Sequence, residues 1–374
     1  MAAYLDVSAA VHHRAGLGRY AESLARALAP LLPERLALFY NRERGVEPLP
    51  GLEGLPRSTV ALGYKPWRIL VWMGQLAHVG FNRLVPNATL FHATEHLLLP
   101  LRDVPTVLTV HDLIFRHPPE QHKPLNRWYL NLTMPLYCRR ATHIIAVSEQ
   151  TRRDVVSAYG VPAGKISVIY EAADPRFRSQ PPEIVAAARA RHGLPERYLL
   201  FVGTIEPRKN LARLLAAFER LQAENLTDAL VIVGKRGWLT GDFDAALERS
   251  PAKQAVLFPG FVPDADLPAV YAGAQVLAMP SLYEGFGLPV LEAMACATPV
   301  ACSNSSSLPE IAGDAALLFD PTEVDGIRDA LRRILRDADV RAQLRDAGLR
   351  RAGQFSWDRA AQETLALYQR LSGE

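Results

Sequence analysis

Residues Met279 to Pro299 read MPSLYEGFGLPVLEAMACATP, and this stretch decides the reading of the chain. Gln275 to Met279 has the make-up of a short buried strand, and after Ser281 the pattern breaks into Glu284-Gly285-Phe286-Gly287. A helix is expected from Pro289, because proline's fixed φ suits a first helical position and its missing N–H would have no partner there. The glycines just ahead let backbone approach a ligand closely, and the N–H groups of a helix start point at whatever sits there. Glu292 is expected in the first turn, with its carboxylate near the mouth of the site. Two carboxylates, Glu284 and Glu292, then flank an anion-friendly helix start. Such a terminus takes phosphate oxygens on N–H groups and sugar hydroxyls on carboxylates.

A glutamate pair at this spacing arises often by chance, but the run of eighteen residues around it, YEGFGLPVLEAMACATPV, is far more specific. It resembles the donor-site signature of the retaining glycosyltransferases of family 4 (glycosyl transferase group 1), in their mannosyltransferase and rhamnosyltransferase branch. The resemblance implies an α/β GT-B architecture: two doubly wound parallel-sheet, Rossmann-like domains facing each other across a cleft. It also implies a nucleotide-diphosphate sugar as co-substrate, with no metal and no other cofactor. It spans nearly the whole chain, strongest from Val202 to Glu310 and weaker before Thr106.

At 374 residues the chain exceeds a single core, and two domains are the natural count. Its 49% apolar and 22% charged content describes an ordinary globular protein. A net charge of +3 and the lack of an aromatic-interleaved basic stripe exclude a nucleic-acid footprint. Residues 1–175 hold 19 Lys and Arg against 14 Asp and Glu, and the remainder 23 against 25. A mildly basic first half suits an anionic membrane surface or acidic acceptor, and ordinary surface variation explains it equally well. Three cysteines, Cys138, Cys296 and Cys302, show no CxxC spacing and no disulfide framework. Asp6 interrupts any leader-like run, and no apolar run is long enough to span a bilayer. A cytoplasmic protein is expected, with peripheral contact to the inner membrane face as a further expectation.

From the start, Tyr4–Val7 reads as a strand and Leu17–Leu28 as a helix, with Gly16-Leu17-Gly18 in the turn between them. A doubly wound sheet places a substrate loop there, and the resemblance makes Gly16 and Gly18 donor-facing. Without a third glycine the turn is weak evidence for a dinucleotide. Strands follow at Leu36–Tyr40, Thr59–Leu62 and Leu90–Ala93. Pro66–Met73 reads as a buried or half-buried helix, because its polar face is too thin for the competing reading, a membrane-surface helix. Thr106–Val110 is a fully buried strand ending at His111-Asp112, where strand ends face the ligand crevice. His111 resembles the family's histidine that hydrogen-bonds the transferred sugar or reaction centre. Leu125–Arg139 reads as a helix, His143–Val147 as a strand, and Ser148 as the cap of a helix ending at Gly160. Ile166–Tyr170 closes this half. Glu171-Ala172-Ala173-Asp174 keeps only the Asp of the family's pattern and is assigned no contact.

The expected boundaries are 1–175 for an acceptor-side domain, 176–196 for a hinge, 197–354 for the donor domain and 355–374 for a helix crossing back to the first domain. Tyr198–Val202 opens the second alternation, followed by Gly203-Thr204-Ile205-Glu206-Pro207-Arg208-Lys209-Asn210 and a helix to Leu221. Arg208 and Lys209, just ahead of that helix, are suited to clamp a diphosphate, as the resemblance also implies. Strands are expected at Ala229–Val233 and Val256–Phe258. Phe261 and Val262 lie in the loop that faces the base in the family, Asp264-Ala265-Asp266 caps the next helix, and Ser305–Ser307 reads as a plain loop.

The resemblance implies transfer of a sugar, mannose from GDP-mannose being favoured, to a glycan or lipid-linked acceptor in cell-surface polysaccharide synthesis. His111, Glu284, Arg208 and Lys209 are the expected catalytic group. Gly203, Gly285, Phe286, Gly287, Leu288 and Glu292 join the donor-binding set. Alternatives are a UDP- or dTDP-sugar donor, a catalytically silent nucleotide-sugar scaffold or sensor, and an epimerase or hydrolase. A dehydrogenase is weakest, since no GxGxxG follows a strand.

Overall fold

The computed structural model describes residues 2–43, 49–116 and 124–373. In chain order its elements are β1 (Ala2–Asp6), α1 (Ser8–Val11), α2 (Ala15–Leu28), β2 (Leu36–Asn41), β3 (Arg57–Val60), α3 (Tyr64–Ala77), β4 (Ala88–Ala93), β5 (Thr106–Val110), α4 (Pro124–Arg140), β6 (His143–Ala146), α5 (Glu149–Tyr159) and β7 (Ile166–Val168). Then come α6 (Pro182–His192), β8 (Tyr198–Val202), α7 (Leu211–Ala223), β9 (Ala229–Val233), α8 (Gly241–Arg249), β10 (Val256–Leu257), α9 (Leu267–Gly273), β11 (Val276–Met279) and α10 (Leu288–Ala295). The chain closes with β12 (Val300–Ser303), α11 (Leu308–Ala312), β13 (Leu317–Phe319), α12 (Val324–Arg336), α13 (Ala338–Ala352) and α14 (Trp357–Ser372).

These elements form two compact units. Of the described residues, the first comprises 2–43, 49–116, 124–171 and 356–373, and the second 172–355. The stretch 176–196, read from sequence as a hinge, holds α6 and groups with the second unit. Pro182 at the helix start and left-handed Gly193 after its end bound that helix, which the arginine and proline content had hidden.

Unit 1 carries a seven-stranded parallel sheet in the order β3-β2-β1-β4-β5-β6-β7. Strands β1, β4, β5 and β6 are largely apolar and mostly buried, as a parallel sheet covered on both faces requires. Edge strand β3 spans Arg57–Val60 instead of Thr59–Leu62, because pairing with β2 sets its register: Leu38 opposes Arg57 and Asn41 opposes Val60. Helix α14 joins this unit beside α2, with the Tyr20 and Trp357 rings 5.8 Å apart. His92 accepts or donates at both nitrogens, to Tyr368 Oη at 2.6 Å and Thr109 Oγ1 at 2.7 Å, fastening α14 to the sheet.

Unit 2 carries a six-stranded parallel sheet, β10-β9-β8-β11-β12-β13. In both sheets the chain winds outward in one direction and then the other, so the order reverses between β1 and β4 and between β8 and β11. Carboxyl ends at such switch points form the ligand crevice of doubly wound folds. The signature stretch follows β11, at the second of these points.

Candidate functional site

Beyond β8, the chain continues beside the chain beyond β9. Gly203 N donates to Val233 O at 2.9 Å and Ile205 N to Lys235 O at 3.0 Å. A Cβ at Gly234, whose φ is +146°, would lie 2.0 Å from Gly203 O. Backbones this close admit only glycine, and the pairing delivers Glu206 and the short helical turn Pro207–Lys209 to the switch point. Left-handed Asn210 ends that turn and donates to the carbonyls of Pro280 and Pro321 at 3.0 and 2.7 Å. Leu282 N donates to Arg208 O at 2.8 Å. The turn and the signature loop are thereby locked together.

Four charges meet there. Lys209 Nζ lies 2.5 Å from Glu284 Oε1, Arg208 Nη1 2.9 Å from Glu284 Oε2, and Arg208 Nε 2.5 Å from Glu206 Oε1. Glu206, Lys209 and Glu284 are all buried. Burial alone would raise the Glu284 pKa, but Arg208 and Lys209 outweigh it and hold it at about 2. Burial and the adjacent Arg208 guanidinium lower the Lys209 pKa against the pull of Glu284. The carboxylate is thus ionised at neutral pH, and both cations expected to clamp a diphosphate are in ion pairs with carboxylates.

Helix α10 starts at Leu288, one residue before the expected Pro289, with Gly287 left-handed at φ +111° ahead of it. A Cβ on Gly287 would lie 2.7 Å from the Leu308 side chain. Glu292 is the fifth helical residue, not in the first turn. It is buried, and its Oε2 accepts from Tyr271 Oη at 2.6 Å. Because the helix starts one residue earlier than expected, Glu292 lies one residue, about 1.5 Å of rise, further along it than the sequence reading placed it. Gly285 and Phe286 are buried with the loop, Phe286 edge-on to Phe355. Phe261 and Val262 follow β10 at the far edge of the sheet, Phe261 85% exposed and Val262 buried. Asp266 makes no capping bond; it is held by Arg191 at 2.5 Å and by the His192 ring at 2.9 Å, both on α6.

In unit 1, His111 follows β5 and is buried. Its Nδ1 is 3.0 Å from Glu171 Oε1 and its Nε2 2.9 Å from Thr94 O. Both partners are acceptors without hydrogens, so a ring that satisfies both donates from both nitrogens and is an imidazolium. Burial would lower its pKa, but Glu171 and the Thr94 carbonyl prevail and raise it. The Tyr20 ring stands edge-on at 4.7 Å. Gly16 and Gly18 fall inside α2, not in a preceding turn, because α1 occupies the start of that connection. A Cβ on Gly18 would press to 2.9 Å from Ala9 O, so α1 and α2 touch there, whereas Gly16 faces open space.

A family model described as "Glycosyl transferases group 1" matches residues 186–351, and one described as "Glycosyltransferase Family 4" matches residues 14–177. The O-antigen chain mannosyltransferase B of Escherichia coli is 32% identical over 95% of this chain and 96% of its own length. The chain belongs to glycosyltransferase family 4. The serotype-specific mannosyltransferase WbdA of Escherichia coli is 30% identical over 73% of this chain, which matches 34% of that longer relative. Among solved structures, sucrose-phosphate synthase from Thermosynechococcus elongatus superposes with a TM-score of 0.79 at 21% identity, covering 99% of both chains, a likeness of GT-B fold.

In this glycosyltransferase the serine run is no plain loop. Ser306 Oγ accepts from Glu284 N at 2.8 Å, and Ser307 Oγ shares its one hydrogen between the carbonyls of Glu284 and Phe286, 3.0 and 2.8 Å away, while Ser303 at the end of β12 donates to Ser281 O at 2.6 Å. These hydroxyls hold the signature loop from the next strand over. Glu171, assigned no contact from its sequence, is the partner of His111. The one available signal for it was a carboxylate just beyond the last strand of the first half. Among the described residues no group of His, Cys, Asp and Glu is arranged to hold a metal ion, and no helix is long and apolar enough to cross a membrane.

Proposed function

We propose that this glycosyltransferase moves mannose from GDP-mannose to a glycan or lipid-linked acceptor with retention at the anomeric carbon and without a metal. The observation that carries the reading is the Arg208, Lys209 and Glu284 cluster at the β8/β11 switch point, immediately ahead of α10. A donor diphosphate arriving there would exchange carboxylate partners for phosphate oxygens on Arg208 and Lys209. The N–H groups of Gly287 and Leu288 would add to this, since a helix start leaves its N–H groups without intrahelical partners.

Charge developing on the leaving diphosphate would be stabilised by these donors, the contribution that usually dominates. Glu284, released from the cations, would accept from the sugar hydroxyls and place the ring. Glu292, once Tyr271 yields, would hold the ribose hydroxyls. The acceptor would attack the same face the diphosphate leaves, with the departing phosphate taking the proton. The His111 imidazolium would hydrogen-bond the sugar or the reaction centre. The choice of mannose is supported by the E. coli O-antigen mannosyltransferase relative.

Calorimetry with GDP, UDP and ADP, each with and without its sugar, tests the reading on the native chain, Glu292→Ala and Glu284→Ala. GDP-mannose should bind tightest, Glu292→Ala should weaken every nucleotide, and Glu284→Ala should abolish turnover while leaving GDP binding nearly intact. A UDP-sugar winner would replace the donor, and binding without transfer would leave a nucleotide-sugar scaffold.

A further inference from the structure

Helices α3 and α4 of unit 1 lie side by side and run in the same direction. Near their starts Arg68 donates to Asn126 Oδ1 at 3.0 Å and Tyr129 Oη donates to Arg68 O at 3.1 Å. Near their ends Arg140 donates to Gln75 Oε1 at 2.8 Å. Between, the Trp72 ring stands 6.0 Å from Trp128. Their inner faces are buried through Trp67 and Val71 on α3 and through Leu130, Met134 and Tyr137 on α4.

The outer faces are apolar as well. Ile69, Met73 and Leu76 recur at helical spacing on α3, and Leu125, Trp128 and Leu132 on α4, all exposed. Met73 is 57% and Trp128 54% accessible. A helix of a water-facing surface is polar outside, and apolar patches of this extent mark interaction sites. The two helices contain no Asp or Glu, but carry Lys65, Arg68, Arg127, Arg139 and Arg140. That charge decides the occupant. Two copies meeting through this face would bring like charges together, whereas an anionic lipid surface attracts Lys and Arg and accepts Trp and Leu at its headgroup boundary.

We propose that the outer face of α3 and α4 docks the protein on an anionic bilayer surface. Its apolar stripes enter the headgroup boundary, and the exposed Lys65 and Arg139 sit at the phosphates. The docking follows from this surface alone; that it serves a lipid-linked acceptor rests on the function proposed above.

Co-sedimentation of the full chain with phosphatidylglycerol–phosphatidylcholine vesicles tests it without any donor. The native protein should pellet with these vesicles, lose most of that binding at about 0.5 M salt, where screening is short-ranged, and pellet poorly with phosphatidylcholine alone. Met73→Glu/Trp128→Glu and Lys65→Glu/Arg139→Glu should each cut vesicle binding about tenfold or more. Circular dichroism and the native thermal midpoint would show these surface variants folded. Equal pelleting of native and variant proteins, or equal binding to neutral vesicles, would overturn the proposal. So would a native dimer in light scattering that Met73→Glu/Trp128→Glu converts to a monomer. Failure of GDP-mannose to bind, with vesicle docking intact, would sink the donor reading alone.

Discussion

The Lys209 ammonium lies 2.5 Å from the Glu284 carboxylate inside unit 2, although 75 residues separate them in the chain. Burial makes losing one side of this contact costly, since removing one partner strands a buried charge. Lys209→Met should destabilise the protein by about 2–4 kcal/mol, with Arg208 still offsetting part of the Glu284 charge. Denaturant unfolding followed by tryptophan fluorescence checks the value.

The same cluster makes unit 2 acid-sensitive. The Glu284 pKa falls from 4.5 unfolded to about 2 folded, so its contribution is fully present above about 4.5 and is lost as pH falls through about 2. Native protein should lose stability over that window, and Glu284→Gln should show a flatter profile there. Thermal midpoints measured from pH 2 to 6 test this; parallel curves for the two proteins would refute it.

His111 behaves with the opposite sign. Its pKa lies above the ordinary 6.5, so its stabilisation is complete below about 6.5 and is lost as pH rises through the raised folded value. Besides Glu171, its charged and titratable surroundings are Asp112, His92, His96 and Tyr20. The neutral amide of Glu171→Gln should move the His111 titration to lower pH, while Asp112→Asn should move it in the same direction but less. NMR titration of the ring reads both shifts, and an unmoved Glu171→Gln titration would contradict the imidazolium assignment.

Ser307 bonds two carbonyls of the signature loop. Ser307→Ala should cost about 1–3 kcal/mol, because buried carbonyls lose their donor. Looseness at Glu284 and Phe286 should also lower kcat about tenfold or more. Steady-state kinetics with the proposed donor, GDP-mannose, separates this from KM, which should change less.

Gly234 is the most constrained backbone position of the site. Gly234→Ala places a methyl on Gly203 O at a φ of +146°, so the strand extensions carrying Glu206 must part. A loss of about 4 kcal/mol or more is expected, measured by chemical denaturation. A near-native midpoint would show that the Gly203 approach is dispensable.

Local chemistry carried much of the architecture in the sequence. Thr106–Val110, Tyr198–Val202 and Ala229–Val233 were readable because strands buried on both faces must be continuously apolar. Ser148 was readable as a helix cap because a short hydroxyl reaches the N–H three residues on. Gly287 just ahead of α10 and Pro289 in its first turn announced its start to within a residue. What sequence could not show was which side chains those elements bring face to face. Glu171 reaches His111 across 60 residues, Tyr271 claims Glu292, and serines at and beyond the end of β12 clasp the loop beyond β11. Periodicity and capping are set by neighbours a few residues apart, so the sequence by itself determined most of the elements and the two parallel sheets, though not α6, which lay in the stretch read as a hinge. Partnership between distant side chains depends on strand order and register, and only the tertiary structure decided that.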